Sequence, residues 1–240
     1  MSERIRIYLV RHGHVQYFND DQQPINPKYA PLSKMGEEQI GLLAEQLTSI
    51  NMDGVFSSTM PRSIQTAEIL AKLQTKQQIE CFDEIREIKS GRLKDIDAEN
   101  AEIVIKKAYC HRQYSLGTFL QGESWQAFEQ RVVSWMEQML LQQVALKHQH
   151  ILVSSHDAVN RVLLNWAYGR KNDDVQVQEQ NYGCLNIIDF FIENDQVSEA
   201  RILLQNFTAH NILKINETHN ALDDVYHMYI KTNGFKREVL

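Results

Sequence analysis

The chain has 240 residues, of which 43% are hydrophobic, and it carries a formal net charge of −6. This length and this hydrophobic content are sufficient for one globular domain with a substantial core. A mildly acidic surface does not attract nucleic acid or an anionic membrane, so the composition argues against both as general partners. An anionic ligand would therefore have to be bound in a local basic pocket.

The cysteines and the hydrophobic segments indicate the cellular compartment. Cys81, Cys110 and Cys184 are widely spaced and odd in number, so they match neither a metal knuckle nor a disulfide framework, and we expect buried, reduced thiols. The apolar run at residues 5–10 is too short for a signal peptide, and no stretch is long enough to span a bilayer. We therefore expect a cytoplasmic protein.

The first predicted strand, residues 5–10, ends abruptly in Arg11, His12 and Gly13. A short run of Ile, Tyr, Leu and Val that stops in this way predicts a strand buried on both faces. In an open α/β sheet, ligands bind beyond the carboxyl ends of such strands, so Arg11 and His12 are candidates for chemistry. The tripeptide by itself is weak evidence, because Arg and His also occur in ordinary solvated loops.

The next segments predict a loop, a helix, a strand and a second helix. Residues 15–32 are rich in Asn, Asp and Pro, which favours a loop along one side of the pocket. Ser33 is placed to cap the helix that follows. A strand at residues 54–57 precedes a helix with Pro61 in its first turn, so Arg62 lies at a helix N-terminus beside a strand end. Arg62 thus joins Arg11 as a candidate anion ligand.

The middle of the chain contains two candidate acids and two predicted helices. Glu84 and Glu87 follow a strand that ends near Cys81, and residues 95–114 are expected to be helical despite a weak apolar pattern. Ser124 is placed to cap a stronger helix. Its apolar residues have the three- and four-residue spacing of a core-facing helix: Phe128, Val132, Trp135, Met136 and Met139.

The last third of the chain predicts the remaining strands and a tail helix. A buried strand at residues 150–153 leads to His156 and Asp157, and Asp157 is placed to cap the next helix. Strands at 185–192 and 197–204, joined by a turn, would complete the sheet, one of them as an antiparallel edge. The helical spacing around Tyr226 and Tyr229 predicts a tail helix that packs on the domain or on a second subunit in a homodimer.

Side chains suited to phosphate chemistry converge at the predicted strand ends: Arg11 with His12, then Arg62, Glu87 and His156. A phosphate monoester carries close to two negative charges. Its binding in a dry pocket needs forked guanidinium donors, an imidazole or second cation, and helix N-terminal N–H groups. The chain places each of these groups beside the carboxyl end of a strand.

Several motifs occur in a fixed order along the chain. They are RHG at 11–13, LS-x-x-G-x-x-Q at 32–39, SST-x-x-R-x-x-x-TA at 57–67, Glu87 four residues before Gly91, GES at 122–124 and SH at 155–156. In these motifs the sequence resembles the histidine phosphatase superfamily, also called the phosphoglycerate mutase-like family, over roughly residues 5–205.

The resemblance implies a fold and a domain organisation. The fold class is α/β, a three-layer sandwich with a mostly parallel sheet flanked by helices. One histidine-phosphatase-like domain would cover residues 1–240. It would include a small helical cap insertion at about 88–121 and a C-terminal tail helix at about 218–231.

The resemblance also implies residue roles. His12 would be the nucleophile that accepts the phosphoryl group, and Glu87 would be the proton donor. Six residues would bind the phosphate: Arg11, Arg62, His156, Gly13, Ser58 and Asp157. The implied activity is that of a phosphoric monoester hydrolase of the histidine acid phosphatase type. It would need no metal and no cofactor, and its substrate would be a small phosphorylated metabolite.

The sequence departs from the family pattern at three places. His14 and Val15 stand where many relatives have Glu-Thr, Asp157 stands where Gly is common, and Arg-Leu-Lys at 92–94 replaces Trp-Glu-Gly. A carboxylate at position 157 would repel phosphate unless it turned away. These departures leave the leaving group undetermined, and five residues are candidate specificity contacts: His14, Tyr17, Lys94, Arg112 and Tyr182.

Alternative interpretations stay open. Phosphoglycerate-mutase-type transfer is disfavoured because no long insertion lies between residues 93 and 121. A metal-dependent hydrolase with ligands His12, His14, His156 and Asp157 is disfavoured because the nearby arginines would repel a cation. A non-catalytic phospholigand-binding module on the same fold is a third possibility, since fold does not fix function. Glu84 is the alternative acid.

Overall fold

A computed structural model describes residues 2–19, 21, 23, 25–72, 78–109, 117–169, 179–215, 217 and 220–233. The strands are β1 (Glu3–Arg11), β2 (Gly54–Ser58), β3 (Ile79–Phe82), β4 (His150–Ser155), β5 (Leu185–Glu193) and β6 (Gln196–Phe207). They form one sheet in the order β3-β2-β4-β1-β5-β6. The four strands from β3 to β1 are parallel, and β5 and β6 add an antiparallel pair at the other side.

Helices cover both faces of this sheet. They are α1 (Lys34–Gln46), α2 (Pro61–Ala71), α3 (Ala101–Lys106), α4 (Trp125–Ala145), α5 (Asp157–Ala167) and α6 (Ala221–Asn233), with a 3₁₀ helix at Leu93–Asp95. One core cluster packs β1 against α1 and α2, and a second, larger cluster packs it against α3, α4, α5 and α6. The predicted three-layer α/β sandwich with a mostly parallel sheet is confirmed.

Strand β1 shows why this arrangement forms. Successive side chains of a strand point to opposite faces, so an uninterrupted apolar run suits only a strand covered on both sides. Ile7 and Leu9 belong to the larger cluster, whereas Tyr8 and Val10 belong to the smaller one, and all four are buried. The central strand is therefore anchored in both cores, and its carboxyl end is fixed in position.

Two predicted helix caps are confirmed, and one is wrong. The hydroxyl groups of Ser33 and Ser124 each accept a hydrogen bond from a backbone N–H three residues later, at 3.1 Å. Asp157 is not a cap. It is the first residue of α5, and His156 occupies the capping position without a side-chain hydrogen bond. The Asp157 carboxylate has charged partners instead.

Other expectations need correction. The segment predicted as one helix over 95–114 contains only the end of the 3₁₀ helix and the short α3 in its described part, and residues 110–116 lie outside the described residues. Cys184 is buried as expected, but Cys81 is exposed because β3 is the edge strand of the sheet. Cys110 lies outside the described residues.

The tail helix packs on the domain itself. Leu222 and Tyr229 belong to the larger core cluster, and the Tyr229 hydroxyl donates a hydrogen bond to the Ile96 carbonyl oxygen at 3.2 Å. The helix begins at Ala221, three residues later than predicted. Among the described helices, none combines the length and the apolar character that crossing a bilayer would require.

Candidate active site

The carboxyl ends of β1 and β4 bring the two candidate histidines together. These strands are parallel neighbours, with Arg11 in register with Ser155. The residues that follow, His12 and His156, therefore lie side by side, and their ring centroids are 5.1 Å apart. Strand β2, on the other side of β4, ends at Ser58. The register of three strands thus assembles the centre of the site.

The ring of His12 is held in one tautomer. Its Nδ1 lies 2.8 Å from the Gly13 carbonyl oxygen, and because a carbonyl only accepts, Nδ1 carries the proton. The Nε2 atom then has a free lone pair, which accepts a hydrogen bond from Arg62 Nε at 3.1 Å. Burial, followed by the charges of Arg62 and Arg11, lowers the pKa of His12 well below its ordinary value. The imidazole therefore stays neutral to lower pH than an ordinary histidine, with an acceptor lone pair on Nε2.

His156 is buried behind this ring. Its Nε2 is 2.7 Å from the Ser58 hydroxyl oxygen, and its Nδ1 is a buried atom without a hydrogen-bond partner among the described residues. Burial, followed by the charge of Arg62, lowers its pKa well below the ordinary value. A neutral imidazole carries one ring N–H, through which it can act as a hydrogen-bond donor.

Arg62 is buried at the start of α2, where Pro61 occupies the first turn. Besides its contact with His12, its guanidinium donates to the Pro27 carbonyl oxygen at 2.8 Å and contacts the Met60 sulfur at 3.4 Å. The loop at residues 15–32 therefore does form one side of the pocket, as the sequence predicted. Its backbone orients a guanidinium toward the His12 lone pair.

Arg11 is held from several directions. Its guanidinium lies over the Tyr182 ring at 3.8 Å, donates to the Gln180 carbonyl oxygen, and is 3.8 Å from the Asp157 carboxylate. Tyr182 had been a candidate specificity contact, and the structure places it directly against Arg11. These contacts fix the orientation of a cation next to His12.

Asp157 forms a buried ion-pair network with two arginines. Its carboxylate accepts a hydrogen bond from Arg161 Nε at 2.5 Å as well as facing Arg11. Arg161 was missed by the sequence analysis, although an acid and an arginine four residues apart on a helix are typical of such a pair. The carboxylate is therefore matched by positive charge, which accounts for an acid at a position where relatives commonly have Gly.

Glu87 lies at the N-terminus of α5. Its Oε1 accepts hydrogen bonds from the backbone N–H of Ile88 at 3.0 Å and of Ala158 at 3.2 Å. Burial, followed by the nearby charge of Asp157, raises the pKa of Glu87. A carboxyl group with a raised pKa keeps its proton to higher pH, which suits a proton donor. Glu84, the alternative acid, has an exposed side chain.

Gly13 marks a close approach between the loop after β1 and α1. A Cβ atom on Gly13 would lie 2.5 Å from the Gly36 carbonyl oxygen, and one on Gly36 would lie 2.1 Å from the His14 carbonyl oxygen. Only glycine fits at both positions without displacing backbone atoms. The Gly13 carbonyl oxygen that orients His12 is thereby fixed against a helix.

Some of these residues line a cavity of about 590 Å³, whereas four of the predicted phosphate-binding residues are not part of its described lining: Gly13, Ser58, His156 and Asp157. We call four ionisable lining residues the charged floor of the cavity: Arg11, His12, Arg62 and Glu87. We call six apolar lining residues the apolar wall: Leu93, Phe119, Leu120, Leu222, Val225 and Met228. The sequence analysis did not anticipate that α6 supplies half of this wall, because nothing in the tail indicates where the helix docks.

The remaining predicted residues differ in their relation to the cavity. Tyr17 lines it, whereas His14 bonds to Ser33 at 2.8 Å, away from the described lining. Lys94 is exposed and is not part of the described lining either, although its neighbour Leu93 is. Arg112 lies outside the described residues. Among the parts of the chain that the structure describes, no three His, Cys, Asp or Glu side chains cluster as metal ligands would.

Comparison with known proteins finds relatives that act on phosphate esters. The model of the histidine phosphatase superfamily (branch 1) matches residues 7–202. A probable 2-carboxy-D-arabinitol-1-phosphatase of Arabidopsis thaliana is 24% identical over 192 residues, which are 79% of this chain and 39% of that protein. A probable phosphoglycerate mutase, GpmB, of Salmonella paratyphi A is 31% identical over 134 residues, 53% of this chain and 60% of that protein. The chain thus matches less than two thirds of each relative.

Solved structures share the fold. The α-ribazole phosphatase from Shigella flexneri has a TM-score of 0.66 and 26% identity, covering 84% of this chain and 96% of that one. A mycobacterial glucosyl-3-phosphoglycerate phosphatase has a TM-score of 0.67 and 17% identity, covering 85% and 99% of the two chains. At that identity it is evidence for the fold only. The ordered motifs, the sheet topology and the family match agree that this chain belongs to the histidine phosphatase superfamily.

Proposed function

We propose that this chain is a metal-independent phosphatase that hydrolyses a small phosphomonoester through a phosphohistidine intermediate on His12. The observation that carries the proposal is the state of the His12 ring. A proton fixed on Nδ1 by Gly13 leaves the Nε2 lone pair directed at a guanidinium donor. We expect the protein to act in the cytoplasm.

In the first half-reaction, a phosphate oxygen of the substrate replaces the His12 lone pair as the acceptor for Arg62. The lone pair on Nε2 then attacks phosphorus, the N–P bond forms and the P–O bond to the leaving alcohol breaks. Arg11 and Arg62 balance the charge on the equatorial oxygens, which is where most of the stabilisation arises in phosphoryl transfer. Glu87 gives its proton to the departing alkoxide.

In the second half-reaction, Glu87 acts as a carboxylate. It accepts a proton from a water molecule whose oxygen attacks phosphorus, and the N–P bond breaks to release inorganic phosphate and neutral His12. One carboxyl group thus serves both steps. The raised pKa of Glu87 keeps its proton to higher pH than in an ordinary carboxyl group, which favours the donor role in the first step.

The same floor could transfer the phosphoryl group to a second alcohol, as in a mutase, and one relative is a probable phosphoglycerate mutase. We favour hydrolysis because the Shigella flexneri protein, whose solved structure is 26% identical to this chain, is an α-ribazole phosphatase. A non-catalytic binding module is disfavoured because both a free nucleophile and an acid line the cavity.

The test measures phosphate release from p-nitrophenyl phosphate with and without a chelator. The wild-type protein is expected to hydrolyse p-nitrophenyl phosphate at the same rate in both conditions. The rate for His12→Ala is expected to be lower by about 10³-fold or more. His148→Ala, which removes a histidine remote from the cavity, is the matched control and should keep its activity. Activity that the chelator abolishes, or that survives in His12→Ala, would refute the proposal.

A further inference from the structure

The tail helix α6 lies outside the part of the chain that the family model matches. The model ends at residue 202, whereas α6 spans Ala221–Asn233. Even so, α6 contributes to the cavity above His12 through Leu222, Val225 and Met228. The family resemblance alone therefore does not account for this side of the site.

Contacts at several points fix α6 relative to the charged floor. Near its N-terminus, Asp224 accepts a hydrogen bond from the Tyr182 hydroxyl at 2.7 Å, and the Tyr182 ring lies under Arg11. Further along, the Tyr229 hydroxyl binds a backbone carbonyl next to the 3₁₀ helix. Near its end, the Lys231 ammonium lies 4.1 Å from the Phe18 ring centroid. The helix is thus packed on the cap, on the floor and on the N-terminal loop.

The apolar wall differs chemically from the rest of the lining. The charged lining residues are Arg11, Arg62 and Glu87 at the floor, with Lys28, Arg86 and Lys89 elsewhere. Among the described residues, Glu87 is the only carboxylate that lines the cavity. Together with the α6 side chains, Leu93, Phe119 and Leu120 contribute to the lining, so this part of the cavity offers hydrocarbon surface to a group that extends from the phosphate.

We propose that the apolar wall is the leaving-group subsite and that it selects phosphomonoesters of alcohols with a hydrocarbon body, alkyl or aryl. This inference rests on the proposed function. A hydrocarbon group would exchange water for apolar surface, with a favourable transfer free energy that increases with each methylene. A polyhydroxylated leaving group would lose its hydrogen bonds to water at this wall, and side chains of Leu, Val and Met do not replace them.

The test compares three substrates whose leaving groups are primary alkoxides, so that chemical reactivity is similar. They are n-hexyl phosphate, ethyl phosphate and glycerol 3-phosphate. For the wild-type enzyme, kcat/KM for n-hexyl phosphate should exceed the other two values by about tenfold or more. This measurement needs no variant, so it does not depend on a mutant protein that folds.

Two variants that each replace a β-branched apolar residue by threonine then locate the subsite. Val225→Thr places a hydroxyl on the wall and should reduce the preference for n-hexyl over ethyl phosphate by about three- to tenfold. Ile230→Thr makes the same kind of change on the exposed face of α6, where Ile230 is 45% exposed, and should leave the preference unchanged. Thermal unfolding of both variants reports on their stability.

Three results would overturn the inference, and they differ in what else they affect. Equal kcat/KM values for all three substrates would overturn the subsite and leave the proposed function intact. The same is true if Val225→Thr lowers activity on hexyl and ethyl phosphate equally. If the wild-type protein hydrolyses none of the three substrates and does not hydrolyse p-nitrophenyl phosphate either, the proposed function is overturned, and the subsite with it.

Discussion

The charged floor of the cavity is built by strand ends and helix N-termini, whereas the apolar wall is built by side chains from residues 93–120 and from α6. At the floor, the backbone determines where each group lies. His12 follows β1, Arg62 lies in the first turn of α2, and Glu87 accepts from the first turn of α5. At the wall, the described side chains are held by packing between α6 and residues 93–120.

This difference separates chemistry from specificity. Sheet register fixes groups to within a fraction of an ångström, which in-line attack and proton transfer require. Hydrophobic packing is less directional and tolerates substitution of shape and size. We therefore expect changes at the floor to affect kcat strongly for every substrate. Changes at the wall should have smaller effects that depend on the leaving group.

Among the variants that test this difference between floor and wall, Glu87→Gln should have the largest effect on activity. Because a glutamine cannot donate a proton to an alkoxide, turnover of ethyl phosphate should fall by about 10²- to 10⁴-fold. p-Nitrophenolate leaves without protonation, so release of the first equivalent of p-nitrophenol should be affected much less. Rapid-mixing absorbance measures that release, and a phosphate assay measures turnover.

The matched control for the acid is Glu84→Gln, at an exposed side chain in the same segment. It should keep wild-type activity on both substrates. Loss of activity in Glu84→Gln with full activity in Glu87→Gln would exchange the two assignments.

The close backbone contact between Gly13 and Gly36 leads to the next largest expected loss of activity. Gly13→Ala would place a Cβ 2.5 Å from the Gly36 carbonyl oxygen, so the loop that carries His12 must shift. A displacement of this kind should lower kcat/KM by about 10²-fold for all substrates alike. Steady-state kinetics with hexyl and ethyl phosphate measures it.

Gly41→Ala is the control, since a Cβ there meets nothing within 4 Å in the middle of α1. It should keep full activity and raise the free energy of unfolding by roughly 0.5–1 kcal/mol. Wild-type kinetics in Gly13→Ala would contradict the rigid floor.

The Asp157 ion pairs should affect both pH dependence and stability. Asp157 contributes to the raised pKa of Glu87, so Asp157→Asn should lower that pKa. The basic limb of kcat/KM, where the Glu87 proton is lost, should then move to lower pH. The variant also removes the buried carboxylate charge that faces Arg11 and Arg161, which should cost roughly 3 kcal/mol of stability.

A pH–rate profile and urea unfolding measure these two changes. Asp195→Asn, at the exposed tip of the β5–β6 hairpin, serves as the control and should leave both unchanged. A basic limb that stays in place, or moves to higher pH, would contradict the coupling between Asp157 and Glu87.

The smallest expected effect lies at the junction of floor and wall. Tyr182→Phe removes the 2.7 Å hydrogen bond to Asp224 and keeps the ring under Arg11. It should lower the free energy of unfolding by about 1 kcal/mol and raise KM for hexyl phosphate by about threefold, with kcat unchanged.

Tyr168→Phe removes a comparable hydroxyl bond, to Gln205 at 3.0 Å, on the far end of α5 and is the control. Its KM for hexyl phosphate should equal the wild-type value. A large loss of kcat in Tyr182→Phe would show that α6 acts on the chemistry as well as on specificity.

Local signals in the sequence mark only part of the floor. The end of an apolar run marks Arg11 and His12, and a proline in a first helical turn marks Arg62, whereas Glu87 follows only from the family resemblance. The fold class follows from the same signals. The roles of these residues stay predictions until the experiments above are done.

The wall could not be predicted in the same way. Leu222 and Val225 show only that the tail is helical, because apolar spacing identifies a buried face and not the surface that covers it. The cap predicted at Asp157 leaves no role for Arg161, although the two residues lie one turn apart on α5 and form an ion pair. Long-range docking depends on side-chain complementarity between distant segments, which one sequence does not reveal.

The phosphohistidine itself tests the central claim most directly. Glu87→Gln incubated with p-nitrophenyl phosphate should accumulate the intermediate, because formation needs no acid with this leaving group whereas hydrolysis needs the missing base. After quenching in alkali, which preserves phosphohistidine, peptide mass spectrometry should find one phosphoryl group on His12. Phosphate release without any phosphorylated His12 peptide, or label on a different residue, would contradict the account.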